Sequence, residues 1–178
     1  MSRLLAIDPG TAESGVVVVS GRVVREHATL PNADLLRMLR ERQGSAAVFA
    51  RAMGSGTPLP FETVACEMVA HYGSGMAVGA EVFEAVSWIG RFQEAWESRG
   101  GVFVRVYRRD VKLHICGSAT AKDGNVRQAL LDLYGGDKAA KGTKKDPGPL
   151  YGVSGHQWQA LAVAITAQER ITKGVEDA

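Results

Sequence analysis

The stretch Leu4-Leu5-Ala6-Ile7-Asp8-Pro9-Gly10-Thr11-Ala12-Glu13-Ser14-Gly15-Val16-Val17-Val18-Val19 constrains this chain more than any other. An apolar run ends in a lone carboxylate, a turn of small residues follows, and a second apolar run returns. The pattern predicts a buried strand, a tight turn and an adjacent antiparallel strand. Asp8 then stands at the strand's carboxyl end, where a sheet opens to solvent. A carboxylate there is costly unless something cationic meets it. Hard divalent cations such as Mg²⁺ take oxygen ligands and suit the position. An Asp-Pro-Gly turn also forms without any function, because Asp starts turns and Pro and Gly fix their geometry. Taken alone, the two readings balance.

Two further segments tip the balance. Thr63-Val64-Ala65-Cys66-Glu67-Met68 is another short apolar run with a carboxylate near its end. Buried strands rarely tolerate Glu without a partner. If this strand lies beside the first, Glu67 and Asp8 converge on one edge and call for a metal. The run from Ser154 to Ala167 predicts an Ala-rich helix with Ser154 as N-cap, packed closely on a sheet. His156, Gln159 and Ala160 share one face of its first turn.

Together these segments resemble the RuvC-type Holliday-junction resolvase family, most closely its phage-borne branch. The resemblance rests on Asp8-Pro9-Gly10 with Ser14-Gly15, Glu67 on a later strand, and a polar pair three apart opening the last helix. It spans about residues 3 to 170. It implies a ribonuclease H-like fold, a homodimer, and Mg²⁺ or Mn²⁺, two ions per site, used to nick symmetric strands of a four-way junction. By position Asp8 and Glu67 match the family's first two acidic ligands. His156 and Gln159 fall where the family usually carries two aspartates. Histidine at the first of these is a variation within the family, and glutamine at the second is a departure. The implied catalytic set is Asp8, Glu67, His156 and Gln159, with Asp8, Glu67 and His156 as metal ligands.

Composition agrees. A chain of 178 residues, 46% hydrophobic and 22% charged, suits one globular domain able to bury a core. The expected domain runs over 1–172, with a frayed tail at 173–178. Two cysteines, Cys66 and Cys116, read as reduced thiols and exclude a disulfide framework. Glu67 beside Cys66 would raise its thiol pKa and argues against a nucleophile. No stretch is long enough to cross a membrane, and the absence of a signal peptide gives the expectation of a cytoplasmic protein in a bacterial or phage-infected cell.

The net charge of +2 conceals an asymmetry: residues 105–145 hold ten Lys or Arg against four Asp. Such an excess suits a polyanion, or is simply a solvated basic surface. Beside an acidic site it favours nucleic acid, because a metal nuclease needs a carboxylate centre and a backbone clamp. The expected DNA-binding residues are Arg108, Arg109, Lys112, Lys122, Lys138, Lys141, Lys144 and Lys145. Tyr72, just after Glu67, either stacks on an unpaired base or packs as an ordinary tyrosine. His71 and His114 carry no functional expectation.

The pattern predicts strands at 2–8, 14–20, 22–29, 61–67 and 101–107, and helices at 32–42, 80–98, from 108 to about 116, 122–134 and from 154. Residues 44–60 and 135–153 read as loops, the second mobile without DNA. In the 80–98 helix Phe83, Trp88, Phe92 and Trp96 spread around the circumference, more apolar surface than one sheet contact buries. The surplus, with Met76 and Gly79, is the expected dimer contact; burial on both sides within one subunit is the alternative. The expected architecture is a five-stranded mixed sheet with helices on both faces. The expected function is metal-dependent hydrolysis of phosphodiester bonds at branched DNA. Competing readings are a non-catalytic junction-binding protein, favoured by the missing carboxylate at Gln159, and a related nuclease acting on RNA or other branched DNA. An actin-like kinase lobe, suggested by the Asp-x-Gly-Thr turn, needs a longer chain.

Overall fold

The computed structural model describes residues 3–41, 61–69 and 79–174. Tyr72, His71, Met76 and the 44–60 segment lie outside the described residues, so the expectations on them stand as expectations. Strands β1 (Arg3–Asp8), β2 (Glu13–Ser20) and β3 (Val23–Pro31) lead into helix α1 (Asn32–Arg40). Then come β4 (Thr63–Met68), α2 (Ala80–Glu97), β5 (Val102–Tyr107) and α3 (Arg108–Cys116). Helices α4 (Asp123–Leu133), α5 (Asp137–Lys141) and α6 (Gln157–Lys173) follow.

The five strands form one mixed sheet in the order β3-β2-β1-β4-β5. β1 pairs antiparallel with β2, and β2 with β3; β1 with β4 and β4 with β5 are parallel. The valine run of β2 is buried on both faces, as central strands are. Alternation then sorts the side chains. Leu4, Ala6, Val17, Val19 and Ala65 face α4, α5 and α6. Leu5, Ile7, Val16, Val18, Val64 and Cys66 face α1 and α2. Two hydrophobic layers therefore sandwich the sheet, as the sequence pattern predicts.

Four details differ from expectation. The 135–153 segment is ordered: α5 sits within it, and Gly142 bridges Pro147 to close a small turn. Leu150 buries beneath it. Helix α6 begins at Gln157 with His156 as N-cap, because the Ser154 carbonyl accepts the Gln157 N–H and the Ser154 N–H bonds back to Gln157 Oε1. Ser154 therefore holds the approach to the helix with its backbone and not its hydroxyl. The helix continues to Lys173 and stops at left-handed Gly174, one residue past the expected domain end at 172. In α2, Phe92 and Trp96 are core residues packed toward α1, and only Phe83 and Val86 stay exposed while Trp88 is half-buried.

Candidate active site

Register places the two carboxylates together. Ile7 lies opposite Cys66 in the parallel β1–β4 pair. Asp8 and Glu67, one residue further, leave the sheet side by side. Asp8 continues the face of Leu4 and Ala6, and Glu67 that of Ala65, so both emerge on the side covered by α6. Both are buried, 6% and 5% exposed.

The start of α6 completes the cluster. His156 Nδ1 lies 2.8 Å from Asp8 Oδ2. An ionised carboxylate only accepts, so Nδ1 is the donor toward it and Nε2 points away from Asp8. The ring is half-exposed and sits at the rim. Gly15 permits this approach. It pairs with Asp8 across the β1–β2 ladder, and a Cβ there would lie 2.5 Å from the His156 carbonyl carbon. No larger residue leaves room for α6 to start where it does.

Buried polar bonds fix the turn after Asp8. Ser14 Oγ donates to Asn32 Oδ1 at 2.6 Å, Asn32 Nδ2 donates to the Gly10 carbonyl at 3.0 Å, and Asn32 N donates to the Ala12 carbonyl at 2.9 Å. On the other side of His156, Gln157 is clasped by β3. Its Oε1 lies 2.9 Å from His27 Nδ1, and its Nε2 donates to Thr29 Oγ1 at 3.2 Å. His27 Nε2 donates to the Tyr151 carbonyl at 3.0 Å.

Electrostatics follow from burial. Desolvation pushes the Asp8 carboxyl above its ordinary range, against the pull of His156. Burial first, then the negative charge of Asp8, push Glu67 up to about 7, although Arg108 pulls it down. A hydrogen bond between the two carboxyls works in the same sense, holding the proton on Glu67. The Cys66 thiol is pushed well above its ordinary value by burial and by both carboxylates, so it is no nucleophile.

Two neighbouring buried carboxyls, whose pKa values stay raised although His156 and Arg108 pull them down, fit one hard divalent cation. Mg²⁺ in particular is held by one or two carboxylates plus substrate oxygens. Among the described residues no group of three or more His, Cys, Asp and Glu forms a complete protein cage. Gln159 is half-buried in the first turn of α6, and no hydrogen bond joins it to Asp8, Glu67 or His156.

The expected phosphate ligands divide. Arg108 is turned inward: Nη1 meets Glu67 Oε1 at 3.2 Å and Nη2 meets Asp123 Oδ2 at 2.7 Å. Lys112 leans on Asp123 at 3.6 Å. Arg109 and Lys112 line, with Met68, Val69 and Val82, a cleft that opens from Glu67. Lys122 caps α4, where its backbone N–H donates to Asn125 Oδ1 at 3.0 Å. Lys141 pairs with Asp137 at the base of the α5 turn, which also carries exposed Lys138, Lys144 and Lys145. Sequence reasoning missed Asn32, His27 and the inward role of Arg108. Ser14 and Asn32 are short polar residues flanking strand ends, a signal for turn bonding. Arg108 reaches Glu67 across 41 residues, and no local signal marks such a contact.

No family model matches the sequence, and no curated protein matches it. Solved structures do. RuvC of Thermus thermophilus superposes with a TM-score of 0.60 at 17% identity, covering 97% of this chain and 96% of that one. T. thermophilus RuvC in complex with a Holliday junction substrate superposes with a TM-score of 0.63 at 19% identity, covering 98% and 97%. The fold is ribonuclease H-like. At these identities the likeness speaks for the sheet order and helix layers alone.

Proposed function

We propose that this chain is a divalent-metal-dependent endonuclease that nicks four-way DNA junctions, akin to the phage-borne branch of the RuvC-type resolvases. The observation that carries the reading is the buried Asp8–Glu67 pair at the carboxyl ends of adjacent strands, with His156 2.8 Å from Asp8. Asp8 and Glu67 would hold the divalent ion, Mg²⁺ or Mn²⁺, which when bound would supply polarisation of a phosphate and activation of water. The side chains do the rest. Asp8 orients His156, and Nε2 at the rim accepts the proton of the attacking water. The water oxygen bonds to phosphorus, one P–O bond to sugar breaks, and the departing alkoxide takes up a proton from solvent. Arg109 and Lys112 in the cleft, and the lysines of the α5 turn, meet phosphates on either side.

A four-way junction presents two equivalent strands, so a two-fold dimer matches its symmetry. The exposed face of α2 supports that assembly: Phe83 is 66% exposed, and Gly90, two turns on, has open space around it. Light scattering of wild type and Phe83→Glu checks it; a monomer mass for wild type with and without junction DNA refutes the dimer and the paired nick. Nicking of a synthetic four-way junction with and without Mg²⁺, beside flap and duplex DNA and RNA, tests the activity. Asp8→Asn should abolish cleavage and keep binding. Wild-type rates from that variant would remove Asp8 from the site, and binding without any cleavage would leave a junction-binding protein.

A further inference from the structure

We infer that His27 is a positioning residue for the site: as an imidazolium it ties β3 to the turn and helix that carry His156, and the tie loosens when the ring loses a proton. The consequence for cleavage rests on the nuclease reading above; the charge on His27 does not. Both ring nitrogens face oxygen acceptors. Nδ1 lies 2.9 Å from Gln157 Oε1, and Nε2 lies 3.0 Å from the Tyr151 carbonyl oxygen. A carbonyl only accepts, so Nε2 carries a hydrogen. The orientation of the Gln157 amide decides Nδ1. Ser154 N–H donates to Oε1 at 3.2 Å, and Gln157 Nε2 donates to Thr29 Oγ1 at 3.2 Å. Turning the amide over would set its NH₂ against the Ser154 N–H, donor against donor. Oε1 therefore faces His27, and Nδ1 donates as well. Neutral imidazole carries one N–H, so the complete set of bonds needs the cation.

The partners of the ring among the described residues are neutral dipoles. β2 places Val17 opposite it, the turn brings the Tyr151 carbonyl and Gly152, and α6 brings Gln157. On β3 itself Arg25 is exposed, and Glu26 pairs with Val18 and so points to the other face of the sheet. The Tyr151 side chain is exposed, and the His156 ring turns to Asp8. When one proton leaves, the two bonds compete. Gln157 is buried, and a bare Nδ1 would set a lone pair against its oxygen. The bond to the Tyr151 carbonyl is exposed, so water can replace it. The neutral ring therefore keeps Gln157 and releases Tyr151. The released turn runs from buried Leu150, whose N–H holds the Ala140 carbonyl at 2.7 Å, to His156. Gly152 and Gly155 lie within it at φ of 80° and 51°, and glycine lets such a segment swivel. His156 has little room to follow, because its backbone lies against Gly15 while its ring bonds Asp8 at 2.8 Å.

The test is NMR of the ¹⁵N-labelled full chain without DNA, from about pH 5 to 9, beside single-turnover cleavage of a four-way junction over the same range. At the acid end both His27 ring nitrogens should carry hydrogen. As the ring loses its proton, Nδ1 should keep its hydrogen, and the backbone amides of Gly152 and His156 should shift in step. The ratio of wild-type to His27→Gln cleavage cancels the pH dependence of the chemistry itself. It should fall from roughly threefold to tenfold at the acid end toward one, with junction binding unchanged. His27→Arg, permanently charged and rich in donors, should cleave like acid-end wild type relative to His27→Gln at every pH. A single N–H on His27 across the range would overturn the imidazolium. A titrating ring with a constant cleavage ratio would overturn the positioning role. No cleavage by any of the three proteins would sink the nuclease reading instead, and the ring and the two amides would still decide the clasp. If His27→Gln fails to fold, the wild-type titration and the His27→Arg profile decide.

Discussion

Removing the charge of Glu67 should make the protein more stable at neutral and alkaline pH, and should flatten its stability against pH. The folded carboxyl is raised to about 7 from an ordinary 4.5, first by burial and then by Asp8. Below pH 4.5 the group is protonated in both folded and unfolded chains and contributes no difference. Between 4.5 and about 7 the folded state holds a proton that the unfolded state has released, so stability falls as pH rises. Above about 7 the loss is complete. At 1.36 kcal/mol per pH unit the loss amounts to about 3 kcal/mol. For a chain of this length that is about 6–12 °C in melting temperature. Glu67→Gln has nearly the same shape and cannot ionise, so it should melt at similar temperature to wild type near pH 5 and clearly higher at pH 8. Calorimetry in EDTA from pH 5 to 8.5 on both proteins reads the difference. Adding Mg²⁺ should recover part of the loss in wild type and little in the variant, because the ion binds the ionised pair. Parallel curves for wild type and variant would show that Glu67 ionises freely, and the buried, repelling pair would be wrong.

Other predictions concern the parts that position the pair. Gly15→Ala puts a methyl 2.5 Å from the His156 backbone; it should cost about 1–3 kcal/mol and lower cleavage more than DNA binding, and wild-type melting and cleavage would refute the close approach. Lys141→Ala, Lys144→Ala and Lys145→Ala together should weaken binding to all DNA sequences and flatten the salt slope by about 2. Lys141 contributes least of the three, since Asp137 already pairs with it; an unchanged slope would move the contact surface elsewhere.

The strands and most helices were legible because burial leaves a local record. Val16 to Val19 and Leu4 to Ile7 could only be central strands, and Asp8 and Glu67 stood out against them as polar ends of apolar runs. The parallel register that joins those carboxylates was inferred from their matching positions and is now seen in the Ile7–Cys66 pairing. What escaped was whatever depends on distant partners. Helix α5 is five residues of Asp-Lys-Ala-Ala-Lys between glycines, too short for periodicity to register. Phe92 and Trp96 read as surplus surface because the α1 partner that covers them is not local in sequence. Arg108 looked like any other cation in a basic stretch, and only the folded chain turns it toward Glu67 rather than toward solvent.

Asp8 and His156 are 148 residues apart, and they touch. Asp8 on β1 therefore meets His156 only once α6 has docked. Helix α6 also fills one face of the sheet with Leu161, Val163 and Ala164. Docking this helix therefore closes the core and arms the site in one event. A chain without α6 still carries both acidic residues but lacks the His156 contact and the cover over one face of the sheet. Any truncation that removes α6 should yield a protein that is both unfolded and inert, with no half-active form between.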